Sequence, residues 1–104
     1  PQVKVKVSFH HGANPATTNI FSKAYQSASA AMEKTYGKKP IPVKAGGSIP
    51  VVGFFQEELG VDVILLGFGL DSDNLHSPNE KYDIANFYKG IETIPYFHKY
   101  FAEL

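Results

Sequence analysis

The run Val61-Asp62-Val63-Ile64-Leu65-Leu66-Gly67-Phe68 constrains this chain more than any other stretch. It is almost continuously apolar, rich in β-branched residues and too short for an ordinary helix, which is the pattern of a parallel strand covered on both faces. Parallel strands are joined by crossover helices, and helical patterns stand on both sides of this run. The sequence therefore predicts an α/β fold with a mostly parallel sheet, right-handed crossovers and Val61 to Phe68 as the central strand. A chain of 104 residues that is 43% hydrophobic, with six Tyr and eight Phe, has enough apolar material for one such domain.

The flanking patterns fill in the rest. Val3, Val5, Val7 and Phe9 alternate with Lys4, Lys6 and Ser8, so a half-buried edge strand is expected there, its lysines facing water and guarding the sheet edge. His10 to Thr18 concentrates turn residues, and then Ile20, Phe21, Ala24, Tyr25, Ala28, Ala31, Met32 and Tyr36 recur at helical spacing up to Gly37, a good residue just past a helix end. Pro40 to Lys44 reads as a brief strand. Gly46-Gly47-Ser48-Ile49-Pro50 reads as a turn opening a helix, with Ser48 as N-cap, Pro50 in the first turn, and Ile49, Val52, Phe55 and Leu59 as a core-facing stripe before Gly60. Ser77-Pro78-Asn79-Glu80 matches a capping box and is expected to start the last helix. That helix carries Ile84, Phe87, Tyr88, Ile91, Ile94, His98 and Phe101 on one face, with a kink expected at Pro95.

Ten basic residues balance ten acidic ones, so no net field draws the chain to nucleic acid or to an anionic membrane surface. The longest apolar stretch is about half of what a membrane-spanning helix requires. There is no cysteine, which excludes disulfides and thiolate metal sites and is equally compatible with cytosol and with export. A cytoplasmic location is the expectation carried forward. The opening Pro-Gln-Val-Lys-Val-Lys-Val resembles neither a natural start nor a signal peptide, so an internal or processed beginning is expected.

Chemistry concentrates at two places, both expected beyond the carboxyl ends of strands, where open α/β sheets bind ligands. His76 lies between the apolar run and the last helix, with Asp71, Asp73 and Glu80 close in sequence. A neutral imidazole is a good zinc ligand, yet no spacing motif supplies the further ligands, and a loop histidine beside a solvated acidic turn fits the same pattern. Gly46, Gly47 and Ser48 at a helix start offer N–H groups and the positive end of a dipole to a carboxylate or phosphate, although such residues also start many helices for structural reasons alone. Gly67-Phe68-Gly69 is not a dinucleotide fingerprint, because Ser72 holds the third glycine position and no helix follows at once. His10 and His11 point to opposite faces if they lie on a strand, and His98 reads as a packed, hydrogen-bonded histidine on an apolar stripe. Tyr96, Phe97, Tyr100 and Phe101 exceed what one helix face can bury and mark a further surface. Self-association through that surface or a strand edge is expected of the isolated chain.

Taken together and in order, Gly46-Gly47-Ser48-Ile49-Pro50-Val51, the aliphatic run, and Gly69-Leu70-Asp71-Ser72-Asp73-Asn74-Leu75-His76-Ser77-Pro78-Asn79-Glu80 resemble the end of the zinc peptidase family that includes carnosinase, dipeptidases and glutamate carboxypeptidases. The resemblance runs through essentially the whole chain. It implies part of a layered α/β/α catalytic domain, with residues 1–18 as the last strand of a smaller lid and dimerisation domain plus its return linker, and residues 19–104 as the C-terminal part of the catalytic domain. His76 matches the family's final zinc ligand. Ser48, with the Gly46 and Gly47 backbone, matches the loop beside the substrate's terminal carboxylate. Many relatives carry an arginine and an acidic residue before the paired glycines, where this sequence has Lys44 and Ala45.

What the resemblance implies for function is a metallopeptidase that hydrolyses dipeptides or removes C-terminal amino acids. Two zinc ions would polarise the scissile carbonyl and lower the pKa of a shared water, while a glutamate takes its proton. The other ligands and that glutamate belong to segments absent here, so no catalytic residue is expected in this chain and the chain alone is expected to be inactive. The expected partners are a peptide or amino-acid-derived substrate and, through the lid, a second subunit. Two alternatives stand beside this reading: an N-acyl-amino-acid amidohydrolase of the same family, and a non-catalytic α/β binding module in which His76 is structural.

Overall fold

The computed structural model describes residues 2–46 and 49–104. Three α-helices and one 3-10 turn make up the regular structure of the described residues: α1 Lys23–Tyr36, α2 Pro50–Leu59, the turn Asp71–Asp73, and α3 Ile84–Glu103. No strand is found among them. The expected parallel sheet, the edge strand at Val3 to Phe9, the brief strand at Pro40 to Lys44 and the central strand at Val61 to Phe68 are all corrected by this. The physical reason is that a strand exists only through ladder bonds to a neighbour. Among the described residues no two segments form such a ladder, and the β-branched run between Gly60 and Leu70 has no regular structure.

The helix boundaries follow local chemistry. Ser22 caps α1, its Oγ accepting from the Tyr25 N–H at 3.1 Å, while the Asn19 side chain accepts from the Phe21 N–H at 2.9 Å. Gly37 ends α1 at φ 74° and sends its N–H to the Glu33 carbonyl at 2.8 Å, and Gly60 does the same for α2 at φ 61°. Both are left-handed positions that glycine adopts without a Cβ penalty. The start of α3 departs from expectation. Its N-cap is Asp83, whose Oδ1 accepts from the Ala85 and Asn86 N–H groups at 2.8 and 3.4 Å, and Ser77 to Asn79 form a turn instead. The Ser77 capping box fails because Asn79 sits at φ 60° and the Lys81 N–H is already committed to the Asp73 carbonyl. From Asp83 the helix runs through Pro95 without interruption.

Helices α1 and α3 pack together, and α2 packs on neither. The buried residues of the two helices are small: Ala24, Ser27, Ala28, Ser29 and Ala31 on α1, and on α3 Thr93, which meets α1, and Gly90, which lies under the Phe68 ring. Their hydroxyls are satisfied internally. Ser27 donates to the Lys23 carbonyl at 2.9 Å and Thr93 to that of Lys89 at 2.7 Å, while the Thr35 and Thr93 hydroxyls meet across the seam between the helices at 2.7 Å. Gly90 lets the apolar run approach closely, since a Cβ there would lie 3.2 Å from the Phe68 ring, which would have to shift by a few tenths of an ångström.

The segment before α1 ties α2 and the apolar run together. Gln56 Nε2 donates to the Thr17 carbonyl, Asn14 Nδ2 to Glu57 Oε1, and Thr18 Oγ1 to the Val63 carbonyl at 2.7 Å. The expected core-facing stripe of α2 is not buried as a whole. Val52 is covered, whereas Ile49, Phe55 and Leu59 remain exposed, as do Phe54, Phe87 and Ile91. The surface area is 8693 Å², against about 5,800 Å² for a compact monomer of this mass. The radius of gyration is 17.4 Å, against about 13 Å for a compact domain of this length.

Tyr36 joins three parts of the structure. Its ring stacks on Phe68 at 6.4 Å, Lys89 Nζ lies 5.1 Å from the ring centre, and its hydroxyl reaches the Asn86 carbonyl at 3.4 Å. Burial, and then the nearby Tyr82, push the Tyr36 phenol above its ordinary value. A folded-state value above the unfolded one means that, between the two, the folded protein keeps a proton the unfolded chain has shed. Stability is therefore unaffected below about pH 10 and falls as pH rises beyond it. Alkaline denaturation is expected to be less steep in Tyr36→Phe than in the parent, as followed by circular dichroism; identical profiles would remove Tyr36 as the cause.

Candidate functional site

His76 sits at the tip of a stitched loop. Leu70 is extended, at φ −115° and ψ 155°, and leads from the apolar run into the turn Asp71–Asp73. The Asp73 N–H returns to the Leu70 carbonyl at 2.9 Å, and the Asp73 carboxylate accepts from the Leu70 N–H at 2.8 Å through Oδ2. Its other oxygen accepts from Lys81 Nζ at 3.3 Å, and its carbonyl accepts from the Lys81 N–H at 3.0 Å. Asp73 is only 5% exposed, so one residue fastens both ends of the loop from inside.

Between the two stitches the backbone turns sharply. Asn74, His76 and Asn79 have φ values of 55°, 61° and 60°, a left-handed region that Asn and His tolerate better than most residues. Ser77 donates its N–H to the Asn74 carbonyl at 3.0 Å. His76 is carried outward by this turn: it is exposed, and among the described residues its imidazole makes no hydrogen bond. It is a ring held by its backbone and open at both nitrogens. Asp71 and Glu80, near His76 in sequence, are exposed as well. Asp73, read from sequence as part of a solvated acidic turn, is instead buried and structural, and periodicity offered no signal of its pairing with Lys81.

The second predicted region is described only in part. Gly46 is exposed, and a Cβ on it would meet nothing within 4 Å, so packing does not require a glycine there. Gly47 and Ser48 lie outside the described residues. The α2 N-cap is Ile49, with no side-chain capping bond, and Pro50 stands in the first turn as expected. An open groove of about 330 Å³ adjoins this helix start, lined by Gly12, Asn14, Pro50, Gly53, Phe54 and Glu57. His10, His11 and His98 are exposed. The packed, hydrogen-bonded state expected for His98 is thus corrected: the residue is exposed, has no hydrogen bond among the described residues, and its ring meets that of neighbouring Phe97 edge to face at 5.4 Å.

Among the described residues no three His, Asp or Glu side chains gather so as to hold a metal ion. Among the described residues His76 is exposed and its ring nitrogens make no hydrogen bond, so it could serve as a single metal donor. No described helix is long and apolar enough to cross a membrane.

The chain belongs to Peptidase family M20/M25/M40, whose family model matches residues 3–99. It is 38% identical over 98 residues to the Cys-Gly metallodipeptidase DUG1 of Candida albicans, an alignment covering 93% of this chain and 20% of that protein. It is 32% identical over 101 residues to the human Beta-Ala-His dipeptidase, covering 97% of this chain and 20% of the relative. Among solved structures, that of the di-peptidase Dug1p from Saccharomyces cerevisiae matches with a TM-score of 0.78 and 37% identity over 84% of this chain and 18% of that one. The chain therefore spans about a fifth of the length of the relatives it matches.

Proposed function

We propose that this chain is the C-terminal segment of a dipeptidase of the metallopeptidase type, acting on short peptides such as Cys-Gly. The observation that carries the reading is 38% identity to a Cys-Gly metallodipeptidase along 93% of the chain. Residues 1–18 close a smaller lid domain through which the whole protein dimerises, and residues 19–104 belong to the catalytic domain. The enzyme is placed in the cytoplasm.

His76 contributes one ligand to a pair of zinc ions, with the rest of the ligands and the general base supplied by chain beyond this segment. The exposed imidazole on a left-handed turn supports that role, because a ring with both nitrogens open can turn toward a metal without first breaking a bond. Zinc, when bound, supplies Lewis-acid polarisation of the scissile carbonyl. The loop Gly46 to Ser48 binds the terminal carboxylate of the peptide, using N–H groups at the start of α2.

Calorimetric zinc titrations test the reading on three proteins: the 104-residue chain, the full-length protein and its His76→Ala variant. The expected result is tight binding only at full length, weakened by the substitution. Tight binding by the 104-residue chain alone would overturn it, since one histidine cannot provide such a site.

A further inference from the structure

The stitched loop assigns a role to two residues that have no chemistry of their own in the reaction. We infer that Asp73 and Lys81 are positioning residues for His76, setting the direction from which its ring meets the metal. The inference rests on the reading of His76 as a metal ligand and deepens it.

The argument starts from the cost of the His76 backbone. A non-glycine residue at φ 61° is disfavoured on its own, and Asn74 and Asn79 at 55° and 60° add to that within the same short loop. Such a loop keeps one shape only if its ends are fixed, and here both ends are fixed on one residue. Asp73 holds Leu70 by two bonds, at 2.8 and 2.9 Å, and Lys81 by two more, at 3.0 and 3.3 Å. His76 has no hydrogen bond of its own among the described residues, so nothing at the ring fixes its aim. Metal ligands are ordinarily oriented by a hydrogen bond to the second ring nitrogen. In this chain the orientation comes from the backbone beneath the ring.

The two partners differ in weight. The Asp73 carboxylate is 8% exposed and the Lys81 side chain 56% exposed, so the half-solvated ammonium is the weaker member of the pair. Asp73→Asn leaves an acceptor for Leu70 but turns an amide toward the ammonium, whereas Lys81→Met removes the charge and keeps the stem. Substitution at Asp73 is therefore expected to have the larger effect.

The test uses the full-length protein stripped of metal and loaded with cobalt(II), whose visible absorption reports ligand geometry. Asp73→Asn is expected to weaken one cobalt ion about tenfold or more and to shift its absorption bands, within the range found for residues that orient metal ligands. Lys81→Met is expected to weaken the same ion about fivefold, with Lys81→Arg restoring it, so the pair is tested even if Asp73→Asn fails to fold. A purely structural role would lower the melting temperature and leave the bands of the folded protein in place. Affinity and bands unchanged in Asp73→Asn and Lys81→Met, with His76→Ala still losing an ion, would overturn the positioning role and leave the ligand reading intact. Retention of every cobalt ion by His76→Ala would remove the ligand reading and the inference with it.

Discussion

On the proposed dipeptidase reading, replacing His76 in the full-length protein reduces Cys-Gly hydrolysis by on the order of a thousandfold, the loss that corresponds to several kcal/mol of metal-derived stabilisation. The choice of substitution matters because of the backbone. At φ 61° alanine pays a steric penalty of roughly 1–2 kcal/mol that asparagine largely avoids. His76→Asn therefore separates the imidazole from the fold: it keeps the left-handed turn and removes the proposed ligand. His76→Asn should melt close to the parent when metal is absent, because the exposed ring packs against nothing that its loss would leave unsatisfied, whereas His76→Ala should be destabilised by the backbone penalty. Steady-state kinetics at saturating zinc checks the prediction, and near-parental turnover by His76→Asn would show that the ring is not at the reaction centre.

The second large effect is expected far from that loop. Ala31 is fully buried and Ala28 is 2% exposed on α1, which packs against α3 where Thr93 is buried. Ala31→Leu must push the helices apart or force strained rotamers, at a cost of about 1–3 kcal/mol. It also disturbs the hydroxyl contact between Thr35 and Thr93 that closes the seam between the helices. Ala30→Leu, one position along and exposed, should change stability by less than about 0.5 kcal/mol. Denaturant midpoints of the two variants in the full-length protein make the comparison, and equal shifts would mean that the seam is looser than its geometry implies.

What could be read from sequence divides along a physical line. Features decided within a few residues were legible: Gly37 and Gly60 end their helices in left-handed conformations, Pro50 opens α2, and the helical spacing from Ala24 to Tyr36 marks α1. Features that depend on distant chain were not. Val61 to Phe68 has the composition of a central strand, but a ladder needs a neighbour, and none of the described residues provides one. The Ser77 capping box had the right letters and lost to a nonlocal bond, because Lys81 is held by Asp73 before a helix can start. His76 was singled out through its motif rather than through any local physics. Asp73 was missed because its bonds to Leu70 and Lys81 are made inside an irregular loop, where no amphipathic pattern marks a carboxylate as buried. The seam was half visible: Ala24, Ala28 and Ala31 were expected to be inside, but so were Ile20 and Phe21, which are exposed.

The small-residue seam also has a thermal consequence. Heat-capacity change on unfolding scales with the hydrocarbon newly hydrated, and the buried centre of this contact, made of alanine, serine and threonine, hides little of it, the rings of Tyr36, Tyr96 and Phe101 lying at its flanks. Separation of α1 from α3 should therefore carry a nearly temperature-independent enthalpy. The pair would neither weaken much on cooling nor gain much on warming, in contrast to a contact built from leucine and phenylalanine.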